Sequence, residues 1–540
     1  MSKSVMNKTA TFWKDFVIYQ IYPRSFKDSN GDGVGDLQGI IEKLDYVKSL
    51  GIDTIWISPI YKSPMKDFGY DVADYCDIDP LFGNLDDFKQ LVDSAHSKGI
   101  KVLMDFVPSH TSDQHPWFIE SKSSTNNPKR DWYIWKETKP DGSPPNNWVS
   151  VFGGSMWEFN ADSGQYYLHS FVKEQPDLNW RNPEVKEAMF NVLRFWMDHG
   201  VDGFRIDAIN HIFKDVKFLD EPKNEKFNAQ TEDPYLSLNH IYVKDQKEIH
   251  ELIGEMAQVL TEYEDRFMVT EAYVPIAELV NYYKHAYTNH APYNFHFIFL
   301  PWSAKEFGNF INEYDSALSL ANKNYIPTYV LGNHDRSRVA TRTGKGLRIA
   351  AMLLLTLRGI PTIYYGDEIG MTDVKIPPDM VQDPFEINVP GKGLGRDPER
   401  TPMQWDASLN SGFTTGTPWL PLSPLYKGIN VEKESEEKSS ILNYYKKLIK
   451  IRKERAELID GDYKGVVLTS EHILAYTRSK GDKTLLVILN FADSKQSANV
   501  SEKTGKVLLS TGDTQEGLAI DLQNLELMPN EGLTIDISTD

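Results

Sequence analysis

Short apolar segments alternate with helix-length amphipathic segments between residues 16 and 368, and this alternation restricts the fold more than any other feature of the chain. Alternation of this kind is typical of parallel βαβ units. Eight segments are predicted to be strands: 16–23, 52–59, 100–107, 201–208, 267–273, 293–299, 327–335 and 360–368. Eight such strands predict an α/β fold, a closed (β/α)8 TIM barrel whose catalytic groups lie at the C-terminal ends of the strands. Spacing alone also allows an open doubly wound sheet.

One βαβ unit can be read residue by residue. Asn84 is a suitable N-cap, and the apolar residues that follow recur at helical spacing. Gly99 is predicted to end this helix, and the apolar run 100–107 is predicted to be the next buried strand. The apolar stripe of the helix consists of Phe88, Leu91, Val92 and Ala95.

Two segments do not fit the barrel pattern. Residues 108–181 are rich in aromatic, Pro, Gly and Asn residues and are too long for a simple loop, which predicts an inserted subdomain. After residue 460 the hydrophobic period changes to two, as in HILAYTRS and KTLLVILNFA, which predicts an all-β C-terminal domain. The predicted organisation is therefore a barrel in two parts (1–107 and 182–460), a subdomain (108–181) and a C-terminal β-sandwich (461–540).

Charge and composition exclude several classes of partner. A net charge of -19 repels phosphate backbones and anionic lipids, so the sequence predicts no nucleic-acid partner and no membrane partner. The longest apolar run, residues 349–357, is far below the roughly 18 residues that a membrane span requires. Cys76 is the only cysteine, which suits a reducing compartment, and the segment MSKSVMNKTATFWKDF carries no signal-peptide pattern. We expect an unprocessed cytoplasmic protein.

Three carboxylates lie near the ends of predicted strands. Arg205 and Asp207 are two residues apart, so their side chains point to the same side of one strand, where the guanidinium would keep Asp207 ionised. Glu271 ends another strand, and partial desolvation there would suit a general acid. His334 and Asp335 follow the seventh strand. Each has an ordinary alternative: a structural Arg–Asp pair, a solvated surface glutamate and a loop cap.

These carboxylates would meet in one pocket if the barrel closes. Carboxyl groups about 5–5.5 Å apart are the arrangement for retaining glycoside hydrolysis, so the leading hypothesis is sugar chemistry. His110, after the third strand, could bind a sugar hydroxyl, although a lone histidine is more often structural.

The segment DSNGDGVGD presents oxygen ligands at alternate positions, with glycines that allow a tight turn. It lacks the later glutamate of an EF-hand and follows a strand. The sequence predicts a structural Ca²⁺ or Mg²⁺ site, and the alternative is an Asx-turn without metal. The predicted ligands are Asp28, Asn30, Asp32, the Val34 carbonyl and Asp36.

Nine motifs occur in the order in which glycoside hydrolase family 13, the α-amylase family, carries them. The chain resembles in particular the oligo-1,6-glucosidase and α-glucosidase branch of that family, and the resemblance covers nearly the whole chain. The motifs are IYQIYPRSF, DSNGDGVGDL, DFGYD, DFVPSH, QPDLNW, GFRIDAINH, MVTEAY, GNHD and GRDPERTPMQW.

The resemblance implies a role for each carboxylate: Asp207 as nucleophile, Glu271 as general acid/base and Asp335 as stabiliser of the oxocarbenium-like state. It implies an exo-acting enzyme for small oligosaccharides or α-glucosides, with some transglucosylation, as a monomer or homodimer. The glucose pocket that it implies consists of Asp67, Tyr70, His110, Phe152, Phe171, Gln175, Arg205, His334 and Arg400.

Linkage preference is predicted from one position. In this branch a valine after the nucleophile accompanies α-1,6 specificity, whereas this chain has Ala208, which resembles the α-1,4-preferring members. We therefore expect maltose-type or sucrose-type substrates over isomaltose. His211 departs from common relatives and bears on the aglycone side.

Two other readings retain the same barrel. A glucosyltransferase or isomerase, such as sucrose isomerase or trehalose synthase, would keep the three carboxylates, but the charged RLDRD-type loop of sucrose isomerases is not found in this sequence. A transporter heavy-chain-like domain without catalytic function would need a membrane anchor and would not need the carboxylates.

Overall fold

The computed structural model describes residues 13–283, 289–321, 325–512 and 516–538. Residues 1–12 lie outside the described residues. They make up most of the N-terminal segment that we expect to be retained without processing. The central element is an eight-stranded sheet in which every adjacent pair is parallel. Its strands are β1 (Ile18–Ile21), β2 (Thr54–Ile57), β3 (Lys101–Phe106), β4 (Gly203–Ile206), β5 (Phe267–Thr270), β6 (His290–Pro292), β7 (Thr328–Val330) and β8 (Ile360–Tyr364).

The sheet curves into a nearly closed barrel, as predicted. The strand order is β6-β5-β4-β3-β2-β1-β8-β7, so β6 and β7 are its two ends. Thr328 joins these ends through its side chain: its hydroxyl donates to the Pro292 carbonyl at 2.8 Å and accepts the backbone N–H of Asn294 at 3.0 Å. The buried Thr328 hydroxyl therefore links β6 to β7, the two end strands of the sheet.

One helix follows each strand and packs outside the barrel, as βαβ connections require. The helix Leu85–Ser97 begins at Asn84, whose side chain caps two N–H groups, and it buries the predicted stripe. The eight outer helices are Leu37–Ser49, Leu85–Ser97, Pro183–Asp198, Glu248–Leu260, Ile276–Tyr282, Ala304–Ala321, Leu347–Thr356 and Ile441–Glu454. Shorter helices are Pro23–Phe26, Pro116–Ser123, His296–Phe299, Val339–Thr343, Pro384–Asn388, Val431–Glu436 and Ala456–Asp460.

The sixth predicted strand, 293–299, is wrong. The strand ends at Pro292, and His296–Phe299 forms a short helix. The side chain of Asn294 accepts the N–H of His296 at 3.1 Å, which starts a helical turn within an apolar run. Short apolar runs do not distinguish a strand from a buried helix, so the pattern placed this element several residues late.

The segment after β3 forms a small antiparallel sheet beside the barrel. Its strands are Trp135–Glu137, Trp157–Asn160 and Gln165–Leu168, with Gln165–Leu168 in the middle. A separate apolar cluster around Trp148 and Trp157 packs under this sheet. A two-stranded sheet, Tyr61–Lys62 with Asp74–Ile78, lies between β2 and its helix.

The C-terminal strands are antiparallel and follow the predicted period of two. Leu474 and Tyr476 face the barrel core, whereas Ile473 and Ala475 pack in a separate C-terminal core. The buried Arg478 lies on the barrel side and donates to the Thr356 carbonyl at 2.5 Å. The strands are Asp462–Val466, Ile473–Lys480, Lys483–Asn490, Gln496–Ala498, Thr504–Ser510, Ala519–Asp521, Leu525–Leu527 and Gly532–Asp536.

Candidate active site

Ionisable side chains gather where strands β3, β4, β5 and β7 end. Asp105 lies in β3 and Arg205 in β4, whereas Asp207 and Glu271 lie just beyond the ends of β4 and β5. Asp335 lies in the loop after β7. The C-terminal ends of parallel barrel strands converge on one face, so the three predicted carboxylates share one pocket.

Arg205 is the common partner of three carboxylates. Its Nη1 atom lies 2.8 Å from Oδ1 of Asp105 and 2.5 Å from Oδ1 of Asp207. Its Nη2 atom lies 2.6 Å from Oε2 of Glu271. Arg205 is fully buried, so these contacts are shielded from water. The predicted pairing of Arg205 with Asp207 is confirmed, and the same guanidinium also binds Glu271.

Three carboxylates on one buried guanidinium leave an excess of negative charge. Burial raises the pKa of Asp207 well above its usual range, and the charges of Glu271 and Asp105 add to this effect against the attraction of Arg205. Burial likewise raises the pKa of Asp105 to about 6. The expectation that Arg205 alone would keep the pKa of Asp207 low is therefore not supported, because burial and the acidic neighbours outweigh the guanidinium.

The residue after Asp207 has a left-handed backbone. Ala208 has φ 40° and ψ 39°, and its N–H donates to Glu271. A non-glycine residue in this region is strained by about 1–2 kcal/mol. This backbone conformation directs the N–H of Ala208 toward Glu271, the predicted acid/base.

Asp335 is held by two arginines. Its Oδ1 atom lies 2.8 Å from Nη2 of Arg400 and 3.2 Å from Nη1 of Arg396, and its Oδ2 atom lies 3.4 Å from His334. Burial acts to raise the pKa of Asp335, but these basic neighbours outweigh it and hold the pKa well below its usual range. Asp335 is therefore an ionised carboxylate with a partly exposed edge.

His334 is neutral and belongs to a chain of hydrogen bonds. Burial lowers its pKa well below the usual range. The Gln20 amide lies 2.7 Å from Nδ1, and the Tyr70 hydroxyl lies 2.6 Å from Nε2. Because the amide donates to Nδ1, the ring proton is on Nε2 and points to Tyr70, whose hydroxyl donates to Asp105 at 3.1 Å.

The remaining residues of the predicted glucose pocket are also brought together. The amide of Gln175 lies 3.2 Å from Asp67 and 3.0 Å from Nε2 of His110. The Phe171 ring centroid lies 5.1 Å from that of His110 and 6.1 Å from that of Phe152. Burial lowers the pKa of His110 to about 4, so it is a neutral hydrogen-bonding group. His211, noted for its departure from relatives, lies 5.5 Å from Phe171 by ring centroids.

Several residues of the pocket were not predicted from the sequence. Asp105 is a lone carboxylate in an apolar strand, and that contrast was the signal for it. Arg396 lies 2.7 Å from Asp67 and sits four residues before Arg400 in the same motif. The other residues that the sequence analysis missed are Gln20, Tyr22 and Asp383.

The predicted metal loop is tightly hydrogen-bonded to itself. Asp28 accepts the N–H groups of Asn30, Gly31 and Gly33 at 2.7–2.9 Å. Asp36 instead caps the helix Leu37–Ser49 by accepting the N–H of Gly39. Within the described ranges, no three His, Cys, Asp or Glu side chains are arranged to hold a metal ion. The metal site of the loop 28–36, whose predicted ligands also include the Asn30 side chain and the Val34 carbonyl, stays a prediction.

The alpha-amylase catalytic-domain model matches residues 20–461. The chain belongs to the α-amylase family. It is a glycoside hydrolase, and its barrel and C-terminal sheet are those of its relatives. The predicted membership is confirmed.

Similar proteins differ in the reactions that their names state. The chain is 40% identical to oligo-1,6-glucosidase of Parageobacillus thermoglucosidasius, covering 96% of this chain and 98% of that protein. It is 41% identical to Maltase 1 of Drosophila virilis, covering 98% and 88%. Among solved structures, the α-glucosyl transfer enzyme XgtA is similar with a TM-score of 0.90 and 37% identity, covering 97% and 99%.

This member of the α-amylase family has no helix, among those that the structure describes, with the length and apolar character needed to cross a bilayer.

Proposed function

We propose that this protein is a retaining, exo-acting α-glucosidase that removes glucose from the non-reducing end of short α-glucosides. The observation that carries the proposal is the position of Asp207 and Glu271 on one guanidinium, at 2.5 and 2.6 Å. Carboxyl groups held side by side suit retention, because inversion needs them about 6.5–9.5 Å apart to admit a water.

The roles are those that the family resemblance implies, and the positions of the three side chains support them. Asp207 attacks the anomeric carbon while Glu271 gives its proton to the leaving oxygen, which forms a covalent glucosyl-enzyme and releases the aglycone. Glu271 then takes a proton from water, whose oxygen displaces Asp207 and restores the starting configuration. Asp335, kept ionised by Arg396 and Arg400, stabilises the positive charge that develops on the sugar ring.

Exo-action is supported by the ion pair between Asp67 and Arg396. It lies at 2.7 Å beside Asp335, and Phe152 packs under the guanidinium with its centroid at 4.9 Å. A salt bridge and an aromatic ring at this side support a pocket that is closed beyond the terminal sugar.

We propose maltose-type or sucrose-type bonds over α-1,6 bonds because Ala208 follows Asp207. The names of the relatives support either linkage, since one is an oligo-1,6-glucosidase and another a maltase. We further propose cytoplasmic location, a monomer or homodimer, and a structural Ca²⁺ or Mg²⁺ on the loop 28–36.

Glucosyl transfer is the second candidate, and the similarity to the α-glucosyl transfer enzyme XgtA favours it. A hydroxyl of a second sugar can replace water in the second step without any change in the carboxylates. We therefore expect transglucosylation as a side reaction at high sugar concentration, with an isomerase as the extreme case.

The experiment is to incubate the purified protein separately with maltose, isomaltose, sucrose and trehalose while the sugar anomers are followed by NMR. Asp207→Asn is the control because it keeps the size of the side chain and removes the nucleophile. Early α-glucose from maltose or sucrose, absent with the variant, is the expected result. Early β-glucose would exclude retention, and new disaccharides with little glucose would assign the protein as a transferase.

A further inference from the structure

A buried carboxylate lies directly behind the arginine that contacts both Asp67 and Asp335. Asp383 is fully buried, and its carboxylate is engaged by Arg396. Its oxygens accept Nε of Arg396 at 3.0 Å, Nη2 at 2.6 Å and the backbone N–H of Arg396 at 2.7 Å. One carboxylate therefore fixes both the backbone and the side chain of Arg396.

This contact decides which donors Arg396 presents to the pocket. A guanidinium has five N–H donors in a planar fork. Asp383 occupies the Nε side, so the remaining donors reach Asp67 through Nη2 at 2.7 Å and Asp335 through Nη1 at 3.2 Å. Rotation of the fork would break at least one of these two contacts.

Neighbouring residues also fix the position of Asp383. Its backbone N–H donates to Oδ2 of Asp397 at 3.0 Å. The helix Pro384–Asn388 starts at the next residue, and its Phe385 packs edge-on against Phe152 at 5.0 Å between centroids. The position of Asp383 is thus set by a loop that also forms the aromatic wall of the pocket.

Charge balance gives the contact a second effect. Asp67, Asp335 and Asp383 carry three negative charges against the two positive charges of Arg396 and Arg400. Without Asp383, the attraction of Arg396 would be divided between Asp67 and Asp335 alone. Both carboxylates would be drawn toward Arg396 and away from positions in which they can bind sugar hydroxyls.

We propose that Asp383 is a positioning residue for glycoside hydrolysis: through Arg396 it sets the places of Asp67 and Asp335 without contacting the substrate. The inference rests on the proposed α-glucosidase function. A displacement of about 1 Å in reacting groups can lower a rate about 100-fold, so even a small movement of Arg396 matters.

The test is Asp383→Asn, with kcat and KM measured on maltose together with the melting temperature. We expect kcat/KM to fall about 10–100-fold, with kcat lower and KM higher, because Asp67 and Asp335 serve both binding and catalysis. Loss of folded protein alone would lower kcat and leave KM unchanged. Asp379→Asn is the matched control, since Asp379 is exposed in the same segment and its activity should equal that of the wild type.

A double-mutant cycle separates positioning from general damage. In an Arg396→Gln background, Asp383→Asn should cause little further loss, because Asp383 acts only through Arg396. If Asp383→Asn does not fold, Asp383→Glu and Arg396→Lys replace it, and each should raise KM as well as lower kcat. Unchanged kcat/KM in Asp383→Asn, or losses that add fully in the double variant, would overturn the proposal. Inactive wild-type protein would instead remove the proposed function.

Discussion

The backbone N–H of Ala208 donates a 3.0 Å hydrogen bond to Oε2 of Glu271. The residue that follows the predicted nucleophile thus also orients the predicted acid/base, and it does so only because its φ is positive. Glu271 additionally contacts Arg205, so both of its fixed partners come from the strand end that carries Asp207. The proposed nucleophile and the proposed acid/base are therefore coupled through Arg205 and Ala208, which flank Asp207 at the end of β4.

Ala208→Val should weaken this arrangement. A β-branched side chain fits the left-handed region less well than alanine, so we expect the free energy of unfolding to fall by about 1 kcal/mol at most. Because a valine here accompanies α-1,6 specificity in this branch, we also expect kcat on maltose to fall relative to kcat on isomaltose. Thermal unfolding and steady-state kinetics measure the two effects. Ala208→Gly is the control, because glycine adopts this backbone without strain and should keep both stability and kcat. A valine variant with the stability of the wild type would contradict the argument.

The sequence predicted the candidate catalytic carboxylates that the structure brings together, because their signals are local. Asp207 and Arg205 share a strand face at a spacing of two, and Glu271 ends an apolar run. Asn84 and its helix were predictable for the same reason. Local patterns could not reveal that Asp105 and Asp207, about 100 positions apart, bind one guanidinium, since that contact exists only when β3 and β4 pair. Arg396 was missed because two of its partners, Asp67 and Asp335, lie in distant loops.

The loop 28–36 gives a prediction about metal binding. If Ca²⁺ or Mg²⁺ binds there, the metal should raise the melting temperature and EDTA should lower it. Free metal at one hundred times its Kd stabilises a protein by about 2.7 kcal/mol. Titration of the two cations separately, followed by thermal unfolding, decides which one binds.

Asp32→Asn is the matched variant for that titration. Asp32 is exposed, and its Oδ1 atom accepts the N–H of Val34 at 2.8 Å, a bond that an asparagine oxygen preserves. The variant should unfold like the wild type in EDTA and lose the metal-dependent rise. The same rise in both proteins would place the metal elsewhere, and no rise in either would leave the loop as a set of Asx-turns.

Closure of the barrel depends on Thr328, and Thr328→Val tests this dependence. Valine preserves the shape but leaves the buried N–H of Asn294 and the Pro292 carbonyl without their partner. An unsatisfied buried group costs about 1–3 kcal/mol, so the free energy of unfolding should fall by at least that amount. Thr54→Val is the control, because the buried Thr54 hydroxyl in β2 has no partner among the described residues and its loss should be neutral or stabilising. Equal melting temperatures for the two variants would show that the junction between β6 and β7 does not need the Thr328 hydroxyl.

Asp367 predicts how stability changes with pH. Burial raises its pKa to about 7, and the nearby charge of Glu368 adds to this effect, although Arg338 lies 3.9 Å away and opposes it. In the unfolded chain an aspartate titrates near pH 4. Between about pH 4 and pH 7 the folded protein binds the proton more tightly, so this group favours folding at low pH and the benefit is lost as pH rises through 7. Each pH unit in that window lowers the free energy of unfolding by up to about 1.4 kcal/mol.

Asp367→Asn removes the titration, and melting temperatures measured from pH 4 to pH 8 should therefore fall less steeply than those of the wild type. A difference between the two proteins that stays constant across this range would mean that Asp367 does not take up a proton on folding.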